Sequence, residues 1–357
     1  MQRQLLFLPG PVTVAQPVLE AAARPMINHR GGEFAHLLER LSSALRPVFG
    51  THGNVLLLGS SGTGAMEAVF ANLFSPGDRL LSCAVGTFGK RFAAIAEHYG
   101  CKVEPLETSL GAALDPHALA ARLERDRARE IAGVLLTHNE TSTGVACDMA
   151  AIAPILKEHG AISLVDSVSG LGATEFHMDE WGYDAVVSAS QKALAAPPGI
   201  GMVALSERAW IRSATARLPR FYFDLRRARD GAERGEMPWT PPISIIYALD
   251  VALQRYHAEG TSRYARLARY AATVHAAFER LGFSLVSRPG AHSTTVVAAF
   301  SPRGVEAGPL LKRLRETHGV VLAGGLGELA GKIVRFGTMG DIGEDDILAA
   351  IDAIERE

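Results

Sequence analysis

The chain has 357 residues, 48% hydrophobic and 21% charged, and its 36 basic and 38 acidic side chains leave a formal net charge of −2. Those proportions suit a globular protein with room for two domains; they exclude a polybasic nucleic-acid surface and a polyanionic tail. No apolar run approaches the roughly 20 residues that span a bilayer, the opening MQRQLLFLPGP is too short in its apolar stretch for a secretory signal, and Cys83, Cys101 and Cys147 lack metal-ligand spacing, so the sequence reads as cytoplasmic with reduced thiols and no metal site.

Residues 1–20 carry Pro9, Gly10, Pro11 and Pro17 and read as an extended N-terminal arm outside any core. NVLLLG (54–59) is an apolar run closed by glycine, which predicts a buried strand, and Met66, Val69, Phe70 and Leu73 then fall at helical spacing. RLLSC (79–83) is a second strand. Asp115 followed by Pro116 marks a helix start, since aspartate accepts from the free N–H groups and proline needs no donor there. IAGVLLT (131–137) is a strand, and a helix follows between Asp148 as N-cap and Gly160 as stop. AISLV (161–165), AVVSA (185–189) and GMVAL (201–205) are further strands. Strands alternating with helices predict an α/β layer with a mostly parallel sheet over residues 21–258. Residues 259–357 change character. They hold a long helix from Ser262, strands at 294–300 and 332–337 with a helix at 308–319 between them, and a closing helix, which together predict a smaller α+β domain.

Ligands of open α/β sheets collect at the carboxyl ends of the strands, and four stretches fall there. GSSGTG (59–64) turns from strand into helix, where free N–H groups and the helix dipole receive a phosphate and Ser61 and Thr63 add hydroxyls. It is neither a nucleotide P-loop, because Ala-Met follows Gly64, nor a G-x-G-x-x-G turn. Asp166 follows an apolar strand, where a carboxylate needs a cationic partner or a capping role. THNETSTG (137–144) reads as a polar loop, with His138 a structural hydrogen-bonding residue. Lys192, in SASQKALAAPPG (188–199), has no charged residue within seven positions on either side, although the chain has only six lysines against thirty arginines. A lysine so placed either snorkels to solvent or is held neutral and used chemically.

A phosphate cradle, a strand-end aspartate and an isolated lysine on one sheet edge share one explanation, pyridoxal 5′-phosphate: phosphate at the helix start, imine on the lysine, carboxylate against the ring nitrogen. Two unit charges ~4 Å apart at an effective dielectric of ~20 attract by roughly 4 kcal/mol. That favours a protonated ring by about a thousandfold, and a protonated ring is an electron sink.

On these residues the chain resembles class V, fold-type I aminotransferases, most closely the alanine–glyoxylate, serine–glyoxylate and serine–pyruvate group. The likeness runs nearly end to end through LPGP, GSSGTGAMEA, THNETSTGV, LVDSVSGLG, SASQKALAAPPG, WTPPISIIYAL and VRFGTMG. It implies a mostly parallel, seven-stranded-type sheet in the large domain. It also implies Lys192 as the imine lysine, Asp166 at the pyridine nitrogen, Val168 and Phe88 on the two ring faces, and Thr141 by the ring hydroxyl. Ser61, Gly62 and Thr63 would face the phosphate with Gln191 nearby. Thr240 would reach the phosphate of the neighbouring subunit, which implies a homodimer with shared sites. Arg335 would grip the substrate carboxylate through two points, and Gly10 would bring backbone to the substrate. Two positions depart from relatives: Met237 stands where some have a tyrosine reaching the partner's phosphate, and Thr63 where some have histidine.

The implied reaction is ping-pong transfer of an amino group from alanine or serine to glyoxylate or pyruvate. A 2-aminoethylphosphonate–pyruvate transaminase is the alternative within this chemistry, and a phosphate- or nucleotide-binding protein without the cofactor is the alternative outside it. Cysteine desulfuration needs a late thiol, and no cysteine follows Cys147. The arginines between Arg217 and Arg229 read as a solvated face, and Arg263, Arg266 and Arg269, recurring every three residues, as an exposed stripe.

Overall fold

In the computed structural model, which describes residues 4–357, the apolar runs pair into one seven-stranded sheet. Its spatial order is Val55–Gly59, Ile200–Leu205, Ala185–Ala189, Ile162–Asp166, Ile131–Thr137, Arg79–Cys83, Lys102–Pro105. Every neighbouring pair is parallel except those made by Ile200–Leu205, which runs antiparallel to both neighbours. The three strands from Ile162 to Leu205 are buried along their whole length, as expected where helices cover both faces.

Register decides what meets at the edge. Thr137 lies opposite Asp166, and Ile200 opposite Gly59. The antiparallel strand therefore starts where its parallel neighbours end, and residues 190–199, with Lys192 among them, leave and re-enter the sheet at the edge where Asp166 and the 60–63 turn lie. The expected caps are present: the Asp115 carboxylate accepts from the His117 N–H at 2.9 Å, Asp148 from the Ala151 N–H at 3.0 Å, and Gly160 ends its helix at φ 83°.

A second, five-stranded sheet lies in the order Leu5–Phe7, Val320–Gly324, Ile333–Gly337, Val296–Phe300, Ser284–Leu285. Its presence corrects the reading of residues 1–20. Leu5–Phe7 is a parallel strand beside Val320–Gly324, Phe7 is fully buried with its ring 4.5 Å from that of Phe336, and Gln16–Ala22 is a helix. The first strand belongs to a core because its partner comes from the far end of the chain.

The exposed-stripe reading fails at Arg263. Its side chain is 9% exposed, its guanidinium carbon lies 3.9 Å from the centre of the Tyr256 ring, and it pairs with Glu259 at 3.3 Å. Helical periodicity places Arg263 on one face with Arg266 and Arg269, but the start of the Ser262–Arg280 helix abuts the end of Ile243–Glu259, and that junction covers the first turn. Nor do the arginines from 217 to 229 form one solvated face: Arg217 and Arg227 are exposed, whereas Arg220 donates to the Ala71 carbonyl at 3.1 Å and Arg229 stacks 4.7 Å from the Trp210 ring. Among the described residues no helix is long and apolar enough to cross a membrane.

Candidate active site

The Gly62–Leu73 helix begins at N-cap Ser61, whose side chain makes no capping bond, so its first N–H groups get no acceptor from the cap residue. A side chain at position 62 would press its Cβ to 2.8 Å from Val168 Cγ2; glycine alone lets the turn sit against Val168. The 60–63 turn and Val168 are thus neighbours.

Asp166 ends its strand at 4% exposure. One carboxylate oxygen, Oδ1, accepts from the Val168 N–H at 3.0 Å, and Oδ2 has no hydrogen bond among the described residues. Burial lifts this carboxyl from its ordinary 3.8 to about 7, against the pull of the Val168 N–H and the Lys192 charge. An acid this costly to ionise marks a place where a cation is to be met.

Lys192 is half-buried in the 190–199 loop, and its Nζ donates to the Pro9 carbonyl at 2.8 Å. Burial lowers its amine from 10.5 to about 8, with Asp166 opposing and Arg335 and Arg91 assisting. Gly10, at φ +131°, passes so close that a Cβ there would fall 2.5 Å from Lys192 Cδ, so both the conformation and the gap require glycine. Beside it, the Gln191 carbonyl accepts from the Val12 N–H at 3.2 Å, and the buried Gln191 side-chain Oε1 is unpartnered.

Arg335 comes from the second sheet and is 7% exposed. Its Nε donates to the Gly324 carbonyl at 2.7 Å and its Nη1 to the Thr141 carbonyl at 3.0 Å. No carboxylate of the described residues pairs with it. A buried guanidinium fixed by two neutral acceptors and lacking an anion is able to receive a carboxylate.

Phe88 lies in the first turn of Thr87–His98, with the Arg91 guanidinium carbon 4.7 Å from its ring centre. Thr141 is buried in the turn between the paired segments Asn139–Glu140 and Val145–Ala146. His138 is structural: Nδ1 meets the Ser167 hydroxyl at 2.8 Å, Nε2 meets the Thr174 hydroxyl at 3.2 Å, and burial depresses its pKa to about 4, which keeps it neutral. Thr240 is exposed and shares a shallow hollow with Gly59, Tyr222 and Trp239, near its own chain's phosphate turn. Met237 is buried in the core rather than turned outward.

The sequence reading overlooked three participants: the Pro9 carbonyl, Arg91 and Glu140. Glu140 carried a usable signal, since an acid just past a buried strand must find several donors. The residues fit pyridoxal 5′-phosphate. An uncapped helix start suits the phosphate, the unpaired Asp166 oxygen suits a cationic ring nitrogen, and a low-pKa amine suits an imine.

Comparison with known proteins bears on the same residues. The family profile described as Aminotransferase class-V matches residues 16–333. A protein of Synechococcus sp. (strain PCC 6716) named Soluble hydrogenase, small subunit is 38% identical, over 99% of this chain and 92% of that protein. The L-aspartate–glyoxylate aminotransferase of Paracoccus denitrificans is 36% identical, over 98% of this chain and 90% of that protein. Among solved structures, an alanine–glyoxylate aminotransferase from Nostoc sp. superposes with a TM-score of 0.94 at 31% identity, covering 100% of this chain and 95% of that one.

Proposed function

Because this chain belongs to the class-V aminotransferase family, we propose that it carries the amino group of a small amino acid to glyoxylate or pyruvate in two alternating half-reactions at one site. It is a pyridoxal 5′-phosphate-dependent aminotransferase, acting between an amino acid and a 2-oxo acid. When bound, the cofactor supplies an aldehyde that takes up the amino group and a cationic ring that draws electrons from the substrate α-carbon.

The chain's own groups do the rest. Ser61, Gly62, Thr63 and Gln191 take the phosphate side. Val168 and Phe88 hold the ring between them, with Thr141 at its hydroxyl. Asp166 Oδ2 keeps the ring nitrogen protonated. Lys192 Nζ would accept the proton from the substrate α-carbon and deliver it to the cofactor carbon across the shared nitrogen, and an amine near pKa 8 is suited to both directions. Gly10 leaves room for this movement. The observation that carries the reading is Arg335, a buried guanidinium without a carboxylate partner whose charge acts on the Lys192 amine. It fixes the substrate carboxylate and so aims the α-carbon at the lysine.

Glyoxylate as acceptor is supported by the Paracoccus and Nostoc relatives, whose names differ in the donor, aspartate in one and alanine in the other. We place the working form as a homodimer in which Thr240 reaches the other subunit's phosphate. Exposed aromatic surface supports this: Phe221 is 67% and Tyr222 47% exposed, with the Trp239 ring stacked between them at 4.9 and 5.9 Å. Such a patch calls for a cover.

The deciding experiment mixes the loaded enzyme with alanine, serine, aspartate or 2-aminoethylphosphonate singly and follows conversion of the cofactor to its amine form. Conversion by none of the amino acids overturns the reading, and conversion by the phosphonate alone replaces it. With the active donor, Arg335→Lys raises KM by about 10- to 100-fold, the loss of a two-point charged contact. The effect on kcat is smaller, because the contact is present in ground and transition states alike.

A further inference from the structure

Glu140 is fully buried, and no step above uses it. A carboxylate shut away from water is tolerated only with matching donors, and Glu140 has four. Oε2 accepts from the Phe88 N–H at 2.9 Å and the Gly89 N–H at 3.0 Å; Oε1 accepts from the Ser142 N–H at 3.0 Å and the Ser142 hydroxyl at 2.7 Å. The Ser142 oxygen in turn accepts from the Thr87 N–H at 2.9 Å.

The first three N–H groups of the Thr87–His98 helix are therefore all satisfied from a neighbouring loop, whereas the helix's own N-cap is Gly86, which has no side chain to offer. This is the reverse of the Gly62–Leu73 helix, whose start is left open for an anion. Phe88 is the second residue of the helix so anchored, which makes the aim of its ring depend on Glu140. The next residue along, Thr141, offers its carbonyl to Arg335. One short run thus holds the Phe88 backbone on one side and the Arg335 guanidinium on the other, although Phe88 lies on the Thr87–His98 helix and Arg335 on a strand of the five-stranded sheet.

We propose that Glu140 is a positioning residue that holds Phe88 against the cofactor ring and, through the adjoining Thr141 carbonyl, keeps Arg335 in register with it. This rests on the cofactor placement given under Proposed function. The groups whose charge reaches Lys192 are Asp166, Arg335, Arg91 and Glu140, and Glu140 also acts on Asp166, Arg335 and Cys147.

The test compares wild type with Glu140→Gln, Glu140→Asp, Phe88→Ala and the double variant carrying both Glu140→Gln and Phe88→Ala, all reconstituted with pyridoxal 5′-phosphate. In Glu140→Gln the dissociation constant for the cofactor rises roughly tenfold or more, since three backbone donors lose a charged acceptor, and the circular dichroism of the bound cofactor falls. The pH midpoint of its colour change drops, because a negative charge facing Lys192 has gone. A merely structural role would not move that midpoint. In the Phe88→Ala background, Glu140→Gln adds under threefold to the cofactor dissociation constant, because the ring it aims is absent. Glu140→Asp keeps the charge and shortens the reach, so the midpoint stays while the dichroism falls and the KM of the amino acid rises; it carries the test if the glutamine variant does not fold. An unchanged midpoint and dichroism in Glu140→Gln, full additivity in the double variant, or wild-type behaviour of Glu140→Asp overturns the proposal. Failure of the wild type to take up the cofactor sinks the reading of the site itself and is seen before any variant is compared.

Discussion

Lys192→Ala leaves a protein that no longer transaminates and no longer retains the cofactor through borohydride reduction. The expected loss in kcat/KM is at least about 10⁴-fold, the upper range for removal of a positioned acid–base, with the covalent anchorage lost as well. Lys192→Arg fails equally, since a guanidinium does not deprotonate at working pH. The pH profile of cofactor uptake by the cofactor-free wild type gives a finer check. Only a neutral amine attacks an aldehyde, and burial brings Lys192 to about 8 from an ordinary 10.5. At pH 7.5 about a quarter of such an amine is neutral, against about one part in a thousand for an ordinary lysine. Uptake therefore rises steeply to about pH 8 and levels off above about pH 9. A rate still climbing tenfold per pH unit at pH 10 contradicts this picture of the site.

Asp166→Asn acts in opposite directions on activity and on stability. Asparagine preserves the acceptor for the Val168 N–H but removes the charge proposed to meet the ring nitrogen. The pairing is worth roughly 4 kcal/mol at an effective dielectric of ~20, so kcat falls by about a thousandfold. In the cofactor-free protein the same carboxylate is a burden. Its pKa is raised from 3.8 to about 7 on folding, so the stability it contributes is fully present below about pH 4 and is lost as pH rises through about 7. Cofactor-free Asp166→Asn therefore unfolds at a higher temperature than wild type at pH 8, and the two converge near pH 4. Thermal melts at the two pH values, with and without cofactor, check both signs. A variant less stable than wild type at pH 8 without cofactor would show that the buried charge is met by a partner within the protein.

Much of this site was legible in the sequence because its parts are local. Apolar runs bounded by glycine gave the strands, aspartate and proline gave the helix starts, and the seven-position charge desert around Lys192 marked the lysine. Elements whose meaning depends on distant partners were not legible. Leu5–Phe7 has three residues and no alternation, so only its pairing with Val320–Gly324 makes it a strand. Arg263 obeys the surface period of its own helix and is covered by another. Glu140, an acid just past a buried strand, signals that it needs donors but not which ones. Its role appears only when the start of the Thr87–His98 helix is brought beside it by the adjacent placement of the Arg79–Cys83 and Ile131–Thr137 strands.

The pairing of Leu5–Phe7 with Val320–Gly324 also constrains how the chain matures. Synthesis runs from the amino end, and a domain whose residues are contiguous can fold while later ones are still being made. Here Leu5–Phe7 must wait, with Phe7 uncovered, until residues 320–324 have been made. The residues just beyond that strand carry the carbonyl that holds Lys192. A nascent polypeptide stalled before residue 320 would therefore hold the complete seven-stranded sheet beside a site still missing Arg335 and the strand that seats Leu5–Phe7.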